Sequence, residues 1–337
     1  MDHVVPVDLL DPADDDLARG WTTVHAAVQR EIFGAGGSAW TLEEVRAFHR
    51  SDGDTRRTAW AALGSGTAPG LVVGAVEVLE TLRDNLRSAR VWLSVHPQWR
   101  RRGTGSALLR RAEQTARQGG RSVFVAETEW PAGGEDRSAA FAGRHGYAAA
   151  QTAVRSGLAL PMGTAALERV LRARADDYVI ETARDRIPEA WLEDRALLAR
   201  RMSTDAPQGA LLLEEEQWDA ARVRAANQRQ LDSGRRVVES VARHVPSRRL
   251  VGYTQLSVPA GTPELAYQSN TIVLREHRGH GLGLRLKTAN ALAVMRDLPM
   301  VRSVRTWNAD DNVHMLAVNR ELGFQVEGYS REWQKTS

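Results

Sequence analysis

The chain has 337 residues, 42% hydrophobic and 26% charged, with 45 basic and 42 acidic side chains and a formal net charge of +3. That length suits two ordinary domains, each with a real core, and arginines scattered beside acids rather than gathered in a stripe exclude a dedicated nucleic-acid surface. The absence of cysteine excludes disulfides, thiolate nucleophiles and cysteine-ligated metals.

In chain order, an extended start "VVPVDLL" leads past the acids Asp11 to Asp16, read as helix caps, to a helical segment "LEEVRAFHR". Strands follow at "RTAWAAL", "GLVVGAVEVLE" and "ARVWLSV", then an Arg-x-x-Gly-x-Gly turn, the helix "GSALLRRAEQTARQ", the strand "SVFVAE", a short helix and a last extended piece. A helical connector is expected over 161–176, "PMGTAALERVLRARAD", which begins at a proline. The same succession then returns: "DYVIETA", the helical "EEEQWDAARVRAANQRQL", strands in "RRVVESVARH", "LVGYTQLSV" and "LAYQSNTIVL", a second glycine turn, the helix "LGLRLKTANALAVMRD" and the strand "VRSVRTW". Glu214 to Glu216 are read as a helix start. No segment approaches the roughly 18 apolar residues of a membrane span, and the start of the chain lacks a signal pattern, so a cytoplasmic protein without a membrane partner is expected.

The repetition is in register. A shift of 178 residues lays Gly74 on Gly252, Val95 on Val273, and Arg100, Gly103 and Gly105 on Arg278, Gly281 and Gly283; a shift of 177 lays "AFAGRHGY" on "AVNRELGF". The sequence therefore reads as two tandem α/β domains with mixed sheets, over 1–160 and 177–337, joined by the connector.

The glycine turns have a physical use. A helix start leaves backbone N–H groups without partners and carries partial positive charge, and glycines let that backbone curl around a phosphate without obstruction from Cβ atoms. The third glycine of a dinucleotide fingerprint is missing, as is the Gly-Lys-Ser/Thr of a P-loop. His277 and His280 belong to the turn, with Arg278 between them, and no metal site is expected.

Arg278-x-x-Gly281-x-Gly283 after "NTIVL", with the downstream "NVHMLAVNRELGF", resembles the acetyl-CoA loop and last helix of the GNAT superfamily of N-acetyltransferases. The whole chain is similar to the tandem two-domain members, and most so over 250–326. The resemblance implies a sheet splayed beside the strand that precedes each turn, with the donor's pantetheine arm in the gap. It implies acetyl-CoA or another short acyl-CoA held by Val273, Leu274 and Arg275, by Arg278, Gly279, His280, Gly281, Leu282, Gly283 and Leu284, and by Asn312. In the first copy Val95, Arg100, Arg101, Arg102, Gly103, Thr104, Gly105 and Ser106 correspond, but Glu135 stands in place of the helix asparagine, which favours the C-terminal site.

The implied reaction is attack by an amine on a thioester, which calls for positioning, a polarised carbonyl, and a base and an acid. The family's tyrosine acid, four residues before the closing Gly-Phe, is replaced by Asn319 in one copy and Ala142 in the other. Candidates at the catalytic positions are Tyr267, Glu127 and Asn319. The acceptor is expected to be a small-molecule amine, and the protein a monomer or homodimer. A non-catalytic acyl-CoA-binding or scaffold protein and a peptide or protein N-acetyltransferase stay open as alternatives.

Overall fold

A computed structural model describes residues 3–50, 53–65, 70–172 and 177–337. The chain forms two compact units, one of Met1–Thr152, Gly209–Leu213 and Gly328–Ser337, the other of Ala153–Gln208 and Glu214–Glu327.

The elements of the first half are β1 (His3–Val7), α1 (Asp15–Phe33), α2 (Leu42–His49), β2 (Thr55–Leu63), β3 (Val72–Thr81), β4 (Ser88–Val95), α3 (Thr104–Gln118), β5 (Val123–Pro131), α4 (Ala139–Arg144) and β6 (Ala148–Ala159). Those of the second half are α5 (Thr164–Arg172), β7 (Tyr178–Arg184), α6 (Leu192–Asp205), α7 (Ala220–Asp232), β8 (Arg236–His244), β9 (Leu250–Val258), β10 (Leu265–Val273), α8 (Leu282–Asp297), β11 (Ser303–Ala309), α9 (Val313–Leu322) and β12 (Gln325–Thr336).

In the first unit β1 to β4 form an antiparallel meander, β4 runs parallel to β5, and β5 pairs antiparallel with β12 from the far end of the chain. In the second, β7 to β10 repeat the meander, β10 runs parallel to β11, and β11 pairs antiparallel with β6. Each unit is thus completed by the last strand of the other half. The unit boundaries differ from 1–160 and 177–337 for this reason: residues 153–159 of β6 pair in the second unit and 328–336 of β12 in the first. Of the connector, α5 lies against α8 within the second unit, and 173–176 fall outside the described residues.

Local chemistry accounts for most of the elements. Asp11 caps the turn before α1, and Asp15 and Asp16 occupy its first helical turn, as the acids at that point predict. Thr41 opens α2 with a reciprocal capping box to Glu44. Glu214 to Glu216 do not start a helix: α7 begins at Ala220 under an Asp219 cap, and Glu216 accepts from the Trp218 indole at 2.6 Å.

The repeated glycines on the central strands let the helices approach closely. A Cβ on Gly74 would lie 2.7 Å from Leu108 of α3, and one on Gly252 would lie 2.8 Å from the Ile272 carbonyl oxygen and 3.4 Å from Leu286 of α8. The core of the first unit packs Val76, Val78, Leu108, Ala112, Phe124 and the exchanged Trp333; that of the second packs Leu256, Ala266, Val294, Val304, Phe324 and the exchanged Leu158.

Candidate active site

The parallel strands part in both units. In the first, β4 pairs with β5 only from Ser88–Val123 to Val91–Ala126, although both strands continue; in the second, β10 pairs with β11 only from Leu265–Ser303 to Tyr267–Arg305. Each sheet therefore opens beside the strand that feeds the glycine turn. The two gaps differ. β4 stays in unbroken register with β3, whereas β10 shifts register against β9 between Gln268 and Thr271. Such a bulge frees backbone groups from the ladder, and Ser269 and Asn270 are exposed there, in the interior of a sheet.

The turns are built alike. Gly103 and Gly281 stand at the helix starts with φ of 87° and 66°, a conformation favoured by glycine, and neither end has a side-chain cap. The first intrahelical bonds are Ala107 N–H to Gly103 and Arg285 N–H to Gly281, so Gly105 and Ser106 in one turn, and Leu282, Gly283 and Leu284 in the other, present amides with no acceptor in their own helix. This donor set fits a diphosphate, such as that of the acyl-CoA expected from the sequence.

The arginines of the turns are engaged within the protein. Arg100 Nε donates to the Val95 carbonyl at 3.2 Å while its terminal nitrogen meets Glu31 at 2.5 Å; Arg278 Nε donates to Val273 at 3.0 Å and its terminal nitrogen to Asp205 at 3.1 Å. Both brace the loop against the strand it leaves. Arg275 also pairs with Asp205, and Arg102 lies 4.6 Å over the Trp99 ring. Arg101 takes a positive φ of 64°. Ser106 is hydrogen-bonded to His145 at 3.0 Å.

Room beside the turns differs too. A Cβ on Gly105 would meet Phe141 at 3.4 Å and Val95 at 3.5 Å, whereas one on Gly283 would meet only Val318, at 3.9 Å. The larger ring of Phe141 narrows the first groove where Val318 leaves the second open. Behind the second turn, Tyr178 is hydrogen-bonded to His277 Nδ1 at 2.9 Å, with the His244 and His280 rings 5.2 and 5.0 Å from the tyrosine ring. Burial, reinforced by His244 and His280, lowers the His277 pKa.

The remaining sequence candidates fall at four places. Asn312 caps α9, its Oδ1 accepting from Met315 N–H at 3.2 Å, while Glu135 is exposed ahead of the shorter α4. Tyr267 is stacked on Trp307, ring centroids 6.1 Å apart. Glu127 is the first residue of β5 beyond the pairing with β4. Its side chain is solvent-accessible, yet desolvation by the surrounding unit, with Glu129 and Glu332 close by, pushes its carboxyl up to about 7.

Asn319 is buried and joins two residues that the motif pattern does not mark. Its Oδ1 accepts from Lys287 Nζ at 2.6 Å and its Nδ2 donates to Asn308 Oδ1 at 2.7 Å. In the sequence Lys287 is one lysine on a helix, which reads as solvent-facing. In the first unit, Ser94 is hydrogen-bonded to His25, whose pKa burial lowers to about 4, leaving a neutral imidazole.

Comparison with known proteins agrees with this geometry. Residues 56–149 match the family model described as an acetyltransferase (GNAT) domain. The solved structure of a tandem GNAT protein from the clavulanic acid biosynthesis pathway is 29% identical, with a TM-score of 0.79 over 100% of this chain and 98% of its own. A GCN5-related N-acetyltransferase from Sphaerobacter thermophilus shares the fold at 18% identity, with a TM-score of 0.65 over 99% of this chain and 95% of its own. No curated protein sequence matches. The fold and the site define a class, the acyl-CoA-dependent acetyltransferases. Within it, residues 56–149 match a GNAT acetyltransferase domain, and over its whole length the chain is similar to a tandem GNAT protein. Among the described residues, no helix is long and apolar enough to cross a membrane.

Proposed function

We propose that the protein transfers an acetyl or other short acyl group from CoA to the amine of a small molecule, with the donor bound in the second unit. The observation that carries this reading is the bulged, split β10, which leaves Ser269 and Asn270 exposed beside an uncapped helix start. An extended donor arm would pair with strand backbone there, and a freed main-chain N–H would polarise the thioester carbonyl. The amides of Leu282, Gly283 and Leu284 would hold the diphosphate, with Arg278 keeping the loop in place through the Val273 carbonyl and Asp205. The amine must lose a proton as its nitrogen bonds the acyl carbon and the carbon–sulfur bond breaks with its electron pair on sulfur. Tyr267, on the strand entering this site, is the proposed group to assist that proton.

A second reading places turnover in the first unit. It is favoured by Glu127, which stands where β4 and β5 separate and holds its proton to about pH 7, as a base or acid working near neutrality does.

The test is CoA release from acetyl-CoA with a panel of small amines, peptides and no acceptor, on the intact protein. Release that depends on a small amine supports the proposal. Binding of acetyl-CoA without release under any acceptor supports a non-catalytic carrier, and release with peptides alone moves the acceptor to proteins.

A further inference from the structure

The polar chain beneath the second groove is unlike anything at the matching place in the first. Where α8 and α9 carry Lys287 and Asn319, α3 and α4 carry Leu109 and Ala142, both buried in the apolar core. The second copy holds a buried lysine where the first has an apolar contact, and burying an ammonium is costly unless it is paired and hydrogen-bonded. Lys287 is 2% exposed, and its partner among the described hydrogen bonds is Asn319; no carboxylate lies within ion-pair reach among the described residues. The Phe324 ring is 5.4 Å away, and burial alone lowers its pKa to about 7.

The direction of the chain is fixed by chemistry. Lys287 Nζ donates to the Asn319 oxygen, as it must wherever the lysine is protonated, and the Asn319 amide nitrogen then faces an acceptor, which is the Asn308 oxygen. That orientation turns the Asn308 Nδ2 away from the chain. Asn308 lies on β11 past its last pairing with β10 and is half-buried, so it stands on the wall of the gap.

We propose that Lys287 is a positioning residue for acyl transfer in the second unit: through Asn319 it holds the Asn308 amide with its hydrogens toward the gap, where they donate to the departing sulfur. This rests on the reading that the donor thioester occupies that gap. As the carbon–nitrogen bond forms and the carbon–sulfur bond breaks, the electron pair left on sulfur is met by the Asn308 hydrogen bond. The amine's proton goes to solvent through the base, and the thiolate afterwards takes a proton from water. The arrangement supplies electrostatically what the absent tyrosine would supply as an acid.

The experiment measures ionisation of the bound CoA thiol by its thiolate ultraviolet absorbance across pH, with desulfo-CoA as the blank. The protein carries Gly105→Asp to silence the first turn. The thiol is expected to ionise at a lower pH than free CoA. Lys287→Met and Asn308→Ala should each weaken that ionisation by about tenfold or more, with kcat falling about tenfold to a hundredfold and KM for acetyl-CoA holding within about twofold. Unchanged thiol ionisation in Lys287→Met protein that still binds CoA overturns the proposal and leaves the donor site standing. Failure of the Gly105→Asp protein to bind CoA at all overturns the donor site itself, and the proposal with it. Should Lys287→Met not fold, Asn308→Ala at its half-buried position decides by the same readout.

Discussion

The two lysines of the chain, Lys287 and Lys335, sit in opposite electrostatic situations. Lys335 Nζ lies 2.8 and 2.9 Å from the two oxygens of Glu113, whereas Lys287 is buried against a neutral amide. Its pKa falls from 10.5 to about 7, so between those values the folded protein binds fewer protons than the unfolded chain, and stability rises with pH. Below about pH 7 the cost of the buried charge is fully present. Lys287→Met should therefore raise the midpoint of thermal unfolding at pH 6 and flatten its rise between pH 7 and 10, as read by calorimetry across pH. Glu127 has the opposite sign. Its pKa rises from 4.5 to about 7, so its contribution to stability is present below about pH 4.5 and is lost as pH rises through 7. Glu127→Gln should remove that loss. If the first unit turns over substrate, the same variant should also remove a limb near pH 7 from the rate profile.

At the scale of elements, the turns, their helices and the strands before them were legible because each has a local cause: glycines before an apolar-periodic helix, and alternating or continuous apolar runs before the turn; the splaying was implied by the family resemblance alone. The equivalence of Gly74 and Gly252 was legible as a repeat, but its consequence needed coordinates. The Cβ of Gly252→Ala would press on a backbone carbonyl, whereas that of Gly74→Ala meets the flexible end of Leu108 and a methyl of Thr104. Gly252→Ala should therefore destabilise by about 1–3 kcal/mol, and Gly74→Ala by clearly less, in denaturant titrations of the two variants. Helices α1 and α6 did not stand out in the sequence. Gly20, Thr22 and Thr23 weaken the helical signal of α1, and the threonine hydroxyls donate to carbonyls three and four residues earlier. In α8, Arg285 through Ala291 are all buried, partly because α5 packs on it. Lys287 was hidden for that reason: one lysine on a helix reads as solvent-facing until a second layer covers it. The bulge at Ser269 and Asn270 left no mark in the residue pattern, since both polar side chains suit a strand rim as well.

At the scale of the molecule, the repeat reveals two copies but not which strand completes which. The closing strands carry similar patterns and local chemistry lets either pair with either sheet, so the exchange of β6 and β12 is a property of the whole chain. It has a measurable consequence. The first unit takes Trp333 into its core and the Lys335–Glu113 pair from β12, so a fragment of residues 1–160 lacks a strand, a buried indole worth about 3–5 kcal/mol and a half-buried ion pair. That fragment should show no cooperative thermal transition by circular dichroism; a sharp transition would mean that β6 can close its own sheet.

The central claim is that the second turn holds the donor. Gly105 and Gly283 both have ordinary room for a Cβ, and an aspartate near a helix start suits the helix while placing a negative charge where a diphosphate would bind. Calorimetric titration of acetyl-CoA into the Gly283→Asp and Gly105→Asp proteins compares the two turns directly. Gly283→Asp should weaken acetyl-CoA binding by about a hundredfold or more, and Gly105→Asp by far less; the reverse order would contradict the account.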